Sequence, residues 1–137
     1  MTNGGTLTVS NNATLKIGAT QSYPVNYATN TLTVASNVEY AGTSQTVSNQ
    51  LYGNLKLSSS SGAAIKTFPA TAMTVVGNLS SLQGAGTSVT YTAAANITVN
   101  GIVSIGAATT FNGGSFNSSI GGNWVNSGTF NGNTGTV

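Results

Sequence analysis

Short stretches in which apolar and polar residues alternate, each ended by a glycine-containing turn, dominate this chain and are densest between residues 95 and 132. Alternation with a period of two is typical of a strand with one buried face. The intervening Asn-Gly, Gly-Gly and Ser-Gly pairs favour turns, because glycine and asparagine tolerate positive φ. No segment has the i, i+3, i+4, i+7 apolar spacing of a helix, so the pattern predicts an all-β protein.

The chain is predicted to form one domain spanning residues 1–137. Two segments, residues 18–30 and residues 58–72, lack the alternation, and they contain Pro24 and Pro69 respectively. Proline cannot donate a backbone hydrogen bond to a β-ladder. Both segments are therefore predicted to be loop excursions from the repeating structure.

Apolar residues also recur over a longer interval of 16 to 27 residues. One series is Leu7, Leu32, Leu55, Leu79, Ile97 and Trp124, and a second is Leu15, Val38, Ile65, Val89, Ile105 and Phe130. Repeats of this length are typical of solenoids, in which each unit buries its apolar side only against its neighbours. The chain is predicted to be a β-solenoid (a parallel β-helix) of about six coils. The alternative is an antiparallel β-sandwich, which also has short strands and frequent turns.

Asparagine precedes a residue of the first series at four positions, three of which follow a glycine. These asparagines are Asn54, Asn78, Asn96 and Asn123. Parallel coils stack about 4.8 Å apart, so asparagines at equivalent positions can hydrogen-bond along the stack. The pattern predicts an asparagine ladder along one side of the solenoid.

Ionisable side chains are almost absent. Lys16, Lys56 and Lys66 are the only basic residues, Glu39 is the only acidic one, and the chain has no histidine or cysteine. General acid–base catalysis needs paired titratable groups, and metal sites need histidine, cysteine or several carboxylates. We therefore expect no catalytic residue, no metal, no cofactor and no enzymatic activity. We also expect stability to change little between about pH 5 and pH 9, because almost nothing titrates there.

The remaining composition bears on partners and location. Two excess lysines form no basic patch, so a nucleic-acid partner is not expected. No run approaches the roughly 20 apolar residues of a membrane span, so membrane insertion is not expected either. The first residues, Met1 to Gly5, show no signal peptide. The chain is expected either to stay inside the cell or to be a mature or excised part of a larger protein.

Four motifs, concentrated from residue 51 onward, resemble a known kind of bacterial repeat. They are Gly53-Asn54-Leu55, Gly77-Asn78-Leu79, Gly122-Asn123-Trp124 and Asn126-Ser127-Gly128-Thr129-Phe130-Asn131. With these motifs the chain resembles the repeat modules of very large secreted surface proteins and adhesins of bacteria, particularly of the Bacteroidetes type. The resemblance implies an extracellular, cell-surface β-solenoid with a structural or adhesive use and no catalytic residue.

The two ends of the repeat region carry no helix, proline or charged residue that would protect a terminal strand. Uncapped solenoid ends template pairing with another chain. The candidate assembly edges are Leu7 and Val9 at one end and Phe130 and Val137 at the other. The leading functional hypothesis is a structural protein whose copies pair head to tail into a filament or form an adhesin stalk.

Two further hypotheses concern binding. Tyr23 and Tyr27, beside Pro24, are predicted to be exposed and could stack on a surface glycan, which would make the chain an adhesion module. Pairs of threonines separated by one residue are also typical of ice-binding solenoids; these are Thr6/Thr8, Thr31/Thr33 and Thr90/Thr92. Ice binding is the third hypothesis, because the pairs skip coils and each brackets an apolar residue expected to point inward.

Overall fold

A computed structural model of the protein describes residues 4–82 and 88–137. Over these residues the chain is all-β, without a helix, and its strands stack as a parallel β-solenoid of about five turns. The predicted fold class is therefore confirmed, with about five turns where about six were expected. Every strand pair recorded in the described part of the chain is parallel, which excludes the antiparallel sandwich.

The strands are two to four residues long, which is the length left between successive turns. In chain order they are β1 (Thr6–Val9), β2 (Thr14–Ile17), β3 (Thr29–Leu32), β4 (Asn37–Tyr40), β5 (Gln45–Thr46), β6 (Asn54–Leu57), β7 (Ala64–Thr67), β8 (Met73–Val75), β9 (Leu79–Ser81), β10 (Val89–Thr92), β11 (Ile97–Val99), β12 (Val103–Ile105), β13 (Thr109–Asn112), β14 (Ser118–Ile120), β15 (Trp124–Asn126) and β16 (Thr129–Asn131).

Strands from successive turns form four parallel sheets. The six-stranded sheet has the order β2-β4-β6-β9-β12-β15, and the five-stranded sheet has the order β5-β7-β10-β13-β16. A three-stranded sheet is formed by β8-β11-β14, and a two-stranded sheet by β1-β3. A bridge between Tyr52 and Val75 extends the three-stranded sheet by one more turn. Each sheet runs along the solenoid, so its outer side is a continuous face.

The true repeat differs from the two apolar series predicted from the sequence. The inward column of the six-stranded sheet is Leu15, Val38, Leu55, Leu79, Val103 and Trp124. Its members are 17 to 24 residues apart. The predicted series had mixed columns from different sheets, because strands on all faces have the same apolar–polar alternation and spacing alone does not identify the face.

The core changes in character along the axis of the solenoid. The inward column of the five-stranded sheet is Gln45, Lys66, Tyr91, Phe111 and Phe130. The rings of Tyr91 and Phe111 stack with centroids 4.7 Å apart and planes at 10°, and Phe111 also contacts Phe130 at 5.4 Å. Aromatic pairs of this kind add about 0.5–1.5 kcal/mol beyond the burial of their surface. The column is thus polar in the early coils and aromatic in the later ones.

The two predicted loop excursions have different outcomes. Residues 18–28 contain no strand, and β3 begins at Thr29. Residues 58–72 are not wholly a loop, because β7 occupies Ala64–Thr67 in the middle of them. In β7 Ala64 and Lys66 point inward while Ile65 points outward. Because the charged Lys66 faces the core and the apolar Ile65 faces solvent, the sequence pattern did not predict this strand.

Candidate functional site

The first end of the solenoid presents the outer edges of β1 and β2. The amide of Asn37 donates to the carbonyl of Ala13 at 2.9 Å, so the odd-numbered residues around β2 bond to β4. Backbone groups of a strand alternate in direction. The peptide groups of Thr14 and Lys16 therefore point away from the solenoid, and no strand of residues 4–82 or 88–137 pairs with them.

The second end presents the outer edges of β15 and β16. The amide of Val103 donates to the carbonyl of Asn123 at 3.0 Å, which leaves the peptide group of Trp124 pointing outward. The amide of Gly113 donates to the carbonyl of Asn131 at 2.8 Å. By the same alternation, the peptide group of Phe130 points outward.

Apolar side chains are incompletely covered at the second end. Trp124 and Phe130 are half-buried and meet edge to face with centroids 4.9 Å apart. Phe116 and Ile120 are also partly buried and pack against the core. Val137 is 58% exposed. This end is therefore an apolar surface, bordered by backbone that pairs with no strand of the described residues.

The predicted edge residues of the first end need a correction. Val9 is buried, and its carbonyl accepts a hydrogen bond from Thr33 at 3.2 Å, so it faces the next coil and not the edge. Leu7 is half-buried against the core and shares the orientation of Val9 in β1. The outward peptide groups of β1 belong instead to Thr6 and Thr8.

A second correction concerns charge at this end. Lys16 lies in β2, a terminal strand, although the sequence had predicted no charged residue there. Its register partner is Glu39, which is in turn paired with Lys56. The side chain of Lys16 belongs to the outer face of the sheet, where its charge helps to lower the pKa of Glu39.

Lys16, Glu39 and Lys56 form one column on the outer face of the six-stranded sheet. Lys56 Nζ is 3.3 Å from Glu39 Oε1, and Ser58 Oγ donates to the same oxygen at 2.6 Å. Burial acts to raise the pKa of Glu39, but the hydrogen bond from Ser58 and the charges of Lys56 and Lys16 outweigh it and lower that pKa. The carboxylate therefore stays ionised, paired and without a second titratable acid beside it.

A shallow groove of about 570 Å³ runs along this face. Polar residues that line it include Asn54, Asn78, Ser80 and Ser104 beside Glu39 and Lys56, although apolar atoms contribute more of its surface than polar atoms do. No aromatic side chain contributes to it. The groove offers hydrogen-bonding groups in a row that follows the axis of the solenoid.

The candidate asparagine ladder is divided between two sheets. In the six-stranded sheet the amide of Asn78 donates to Asn54 Oδ1 at 2.9 Å, and the amide of Ile102 donates to Asn78 Oδ1 at 2.8 Å. Ile102 then separates this pair from Asn123. Each asparagine side chain thus bonds to the backbone of the following coil.

Asn96 lies at the start of β11, in the three-stranded sheet, and so does not belong to the same column. Its Oδ1 accepts the amide of Asn117 at 3.0 Å. Asn117 Oδ1 in turn accepts the hydroxyl of Thr136 at 2.9 Å. At two corners of the solenoid, therefore, an asparagine Oδ1 accepts a hydrogen bond from a backbone amide of the next coil. This shared role is why asparagines of different sheets look equivalent in the sequence.

Gly53, Gly77 and Gly122, each followed by an asparagine, form a column together with Gly101, which is followed by Ile102. The amide of Gly77 donates to the carbonyl of Gly53 at 2.6 Å, that of Gly101 to Gly77 at 2.9 Å, and that of Gly122 to Gly101 at 2.9 Å. A Cβ atom on Gly77 would overlap Asn54 Oδ1 and the carbonyl oxygen of Gly53. The Gly-Asn motif is therefore the sequence of a tight corner between coils.

The two tyrosines that were predicted to be exposed differ in burial. Tyr27 is 37% exposed, but Tyr23 is only 1% exposed, so the prediction for Tyr23 is wrong. Tyr23 turns into the core beneath the loop of residues 18–28, where burial and the neighbouring Tyr40 raise its pKa. Its hydroxyl is buried and has no hydrogen-bond partner among the described residues. The pair of exposed rings proposed for glycan stacking is not present.

The sequence pattern gave no indication of a buried lysine. Lys66 is 0% exposed, and its Nζ donates to the carbonyl of Gly42 at 2.6 Å and to Gln45 Oε1 at 2.5 Å. Gln45 Nε2 donates onward to the carbonyl of Gln21 at 2.9 Å. Burial lowers the pKa of Lys66 to about 8. Ala64 and Lys66 are two residues apart and therefore lie on the same side of β7. That side faces the core, so the position of Ala64 was the one feature of the sequence from which a buried Lys66 could have been predicted.

Comparison of the chain with protein-family models, with curated proteins and with solved structures finds no match. The resemblance to bacterial surface modules therefore stays a prediction. The described residues include no helix that is long and apolar enough to cross a membrane.

Proposed function

We propose that this protein is a non-enzymatic structural module of the cell exterior, whose copies stack head to tail into a filament or an adhesin stalk. The observation that supports this proposal is the matching pair of open edges, β2 at one end of the six-stranded sheet and β15 at the other. A contact of one end with the opposite end does not close on itself, and so it propagates.

The register of the sheet specifies how two copies would meet. If the sheet continues without a break, β2 of one copy pairs in parallel with β15 of the previous copy. Leu15 then lies over Trp124 in the inward column, and Thr14 lies beside Asn123 in the outward one. The half-buried Trp124 would then have an apolar neighbour on both sides, as the four inner members of its column already have.

Electrostatics do not oppose such a stack. The outward neighbour of Lys16 in this register is Val125, which carries no charge. The register neighbour of Lys16 within the chain is Glu39, which carries the opposite charge. Repulsion between like charges, the usual device that keeps strand edges apart, is therefore weak at this contact.

The absence of cysteine makes disulfide trapping a direct test. Adjacent parallel strands are about 4.8 Å apart, within the Cα separation that a disulfide spans. We expect the Thr14→Cys/Asn123→Cys double variant to form a ladder of covalent oligomers on mild oxidation. A mixture of the two single variants should instead stop at a disulfide-linked dimer.

The matched control is Thr14→Cys/Thr67→Cys. Thr67 is exposed and lies in the five-stranded sheet, away from either end, so this variant should give no ladder. If the Thr14/Asn123 variant is folded by circular dichroism and yields no more oligomer than this control, head-to-tail pairing through the six-stranded sheet is excluded. Filaments in electron micrographs of the unmodified chain would support the proposal.

A glycan-binding adhesion module is the second candidate, and the groove on the six-stranded sheet favours it. A row of amide and hydroxyl groups suits an extended polysaccharide laid along the axis. Ser80 lies in the middle of this groove, so Ser80→Trp should abolish a glycan-array signal. Thr67→Trp, outside the groove, is the control, and a signal that survives both changes would place the glycan elsewhere.

A further inference from the structure

The outer face of the five-stranded sheet carries two columns of small hydroxyl and amide side chains. We call this surface the threonine face. One column is Ile65, Thr90, Thr110 and Thr129. The other is Thr46, Thr67, Thr92, Asn112 and Asn131. The columns continue from strand to strand without a break in register. Only β10 presents two threonines, Thr90 and Thr92; β13 and β16 each pair a threonine with an asparagine.

The Thr-x-Thr pairs of the sequence do skip coils, as expected, and asparagine or isoleucine occupies the other positions of the threonine face. Thr6 and Thr8 belong to the two-stranded sheet, whereas Thr90 and Thr92 belong to the five-stranded sheet. The threonine pairs seen in the sequence therefore come from different faces. The residue between Thr90 and Thr92 is the buried Tyr91, and its inward direction is what turns both threonines outward.

The side chains of the threonine face are spaced at regular intervals in two directions, across the strands and along them. Neighbouring strands lie about 4.8 Å apart, and residues two apart along a strand are separated by about 6.6 Å. The repeat between strands is close to an oxygen repeat of hexagonal ice, whereas the repeat along a strand is somewhat shorter than the second one. Threonine is stiff at χ1, so its hydroxyl and methyl groups hold the same positions on each strand.

The sheet beneath the threonine face is held rigid by its own side chains. Tyr91 and Phe111 stack directly under β10 and β13. On the face itself, Asn131 Nδ2 donates to Asn112 Oδ1 at 2.8 Å, which ties the two amides together. A surface fixed in this way loses little conformational entropy on meeting a solid.

Charge is absent from the threonine face. Lys16, Glu39 and Lys56 lie on the outer face of the six-stranded sheet, and Lys66 points into the core. A charged group would bind a disordered hydration shell and would favour an ionic partner. A neutral face of repeated hydroxyl, methyl and amide groups fits ordered water instead.

We propose that the threonine face binds the surface of an ice crystal. Hydroxyl and amide groups of the two columns hydrogen-bond to lattice water, while the threonine methyl groups lie between those water molecules. Ile65 interrupts the hydroxyl column and is 55% exposed. The strands β10, β13 and β16 therefore form the most regular part of the face.

The test is inhibition of ice recrystallisation by the full chain, with three variants. Thr110→Tyr places a bulky ring at the centre of the threonine face, and we expect the concentration required for inhibition to rise about tenfold because neighbouring hydroxyls are held away from the crystal. Ser104→Tyr makes the same change in the same turn but on the six-stranded sheet, and should leave inhibition unchanged. Ile65→Thr completes the hydroxyl column and should lower the required concentration.

Tyrosine is favoured in strands, so neither tyrosine variant is expected to unfold the protein, and circular dichroism checks this. The proposal is overturned if the unmodified chain does not inhibit recrystallisation. It is also overturned if folded Thr110→Tyr and Ser104→Tyr behave alike. These outcomes do not depend on disulfide trapping at the ends, so the ice proposal and the stacking proposal can fail separately.

Discussion

Lys66 Nζ lies 2.5 Å from Gln45 Oε1 inside the solenoid, although the chain has only three lysines and ample surface for them. The second acceptor of this ammonium is the carbonyl of Gly42 at 2.6 Å. Both acceptors are neutral, so the buried charge is hydrogen-bonded but not neutralised. Burial of an unpaired charge lowers the pKa of a lysine, and the pKa of Lys66 falls to about 8.

The buried lysine makes stability depend on pH. Because Lys66 has a folded pKa of about 8 and an ordinary value of 10.5, the unfolded chain binds more protons between these values. The free energy of unfolding should therefore rise by about 1 kcal/mol between pH 7 and pH 9. Nearer pH 10 the buried Tyr23, Tyr52 and Tyr91, whose pKa values are raised, act in the opposite direction. The sequence had predicted little change up to pH 9, and urea denaturation at pH 7 and pH 9 measures it.

Lys66→Met provides the matched control for that measurement. It keeps a long side chain in the core but removes the titrating group, so the rise in stability between pH 7 and pH 9 should disappear. If the variant and the unmodified chain show the same slope, Lys66 is not the source of the pH dependence.

Gly77→Ala should be strongly destabilising, because the new Cβ would overlap Asn54 Oδ1 and the carbonyl oxygen of Gly53. The backbones of two coils would have to separate, and overpacking of this kind typically costs about 1–3 kcal/mol. Gly18→Ala is the control, since a Cβ there meets nothing within 4 Å. Equal denaturation midpoints for the two variants would refute the tight-corner explanation of the Gly-Asn motif.

Asn78→Ala should lower the free energy of unfolding by about 1 kcal/mol, because it removes the acceptor of the Ile102 amide. Asn123 occupies the equivalent position in the last turn, and within residues 4–82 and 88–137 its side chain makes no hydrogen bond. Asn123→Ala should therefore cost measurably less than Asn78→Ala. Denaturation curves of both variants, fitted with a common slope, decide between the outcomes.

Trp124, the only tryptophan, reports on the proposed contact between copies. It is half-buried in the last turn of the single chain. If Leu15 of another copy covers it, its fluorescence emission should shift to shorter wavelength as protein concentration rises. Leu15→Lys should abolish the shift, and an emission maximum that does not change with concentration would count against stacking through β15.

Alternation and turn residues were sufficient to predict the fold class. Strands such as Ile97–Val99 and Val103–Ile105 have their apolar residues in the buried positions, and the Gly-Asn pairs lie at the corners. These signals are local: they depend on the pleat of a strand and on the φ values that a turn requires. For this reason they can be detected in a sequence without knowledge of distant contacts.

Which residues share a face was decided by the tertiary structure alone. Turns of unequal length set the register, so Leu55 follows Val38 after 17 residues and precedes Leu79 by 24. The same cause placed Asn96 in another column from Asn78, turned Tyr23 into the core and buried Lys66. It also aligned Thr90 with Thr110 on the threonine face. The sequence by itself determined that the chain would form short stacked strands, whereas the three-dimensional path of each coil determined which surfaces those strands compose.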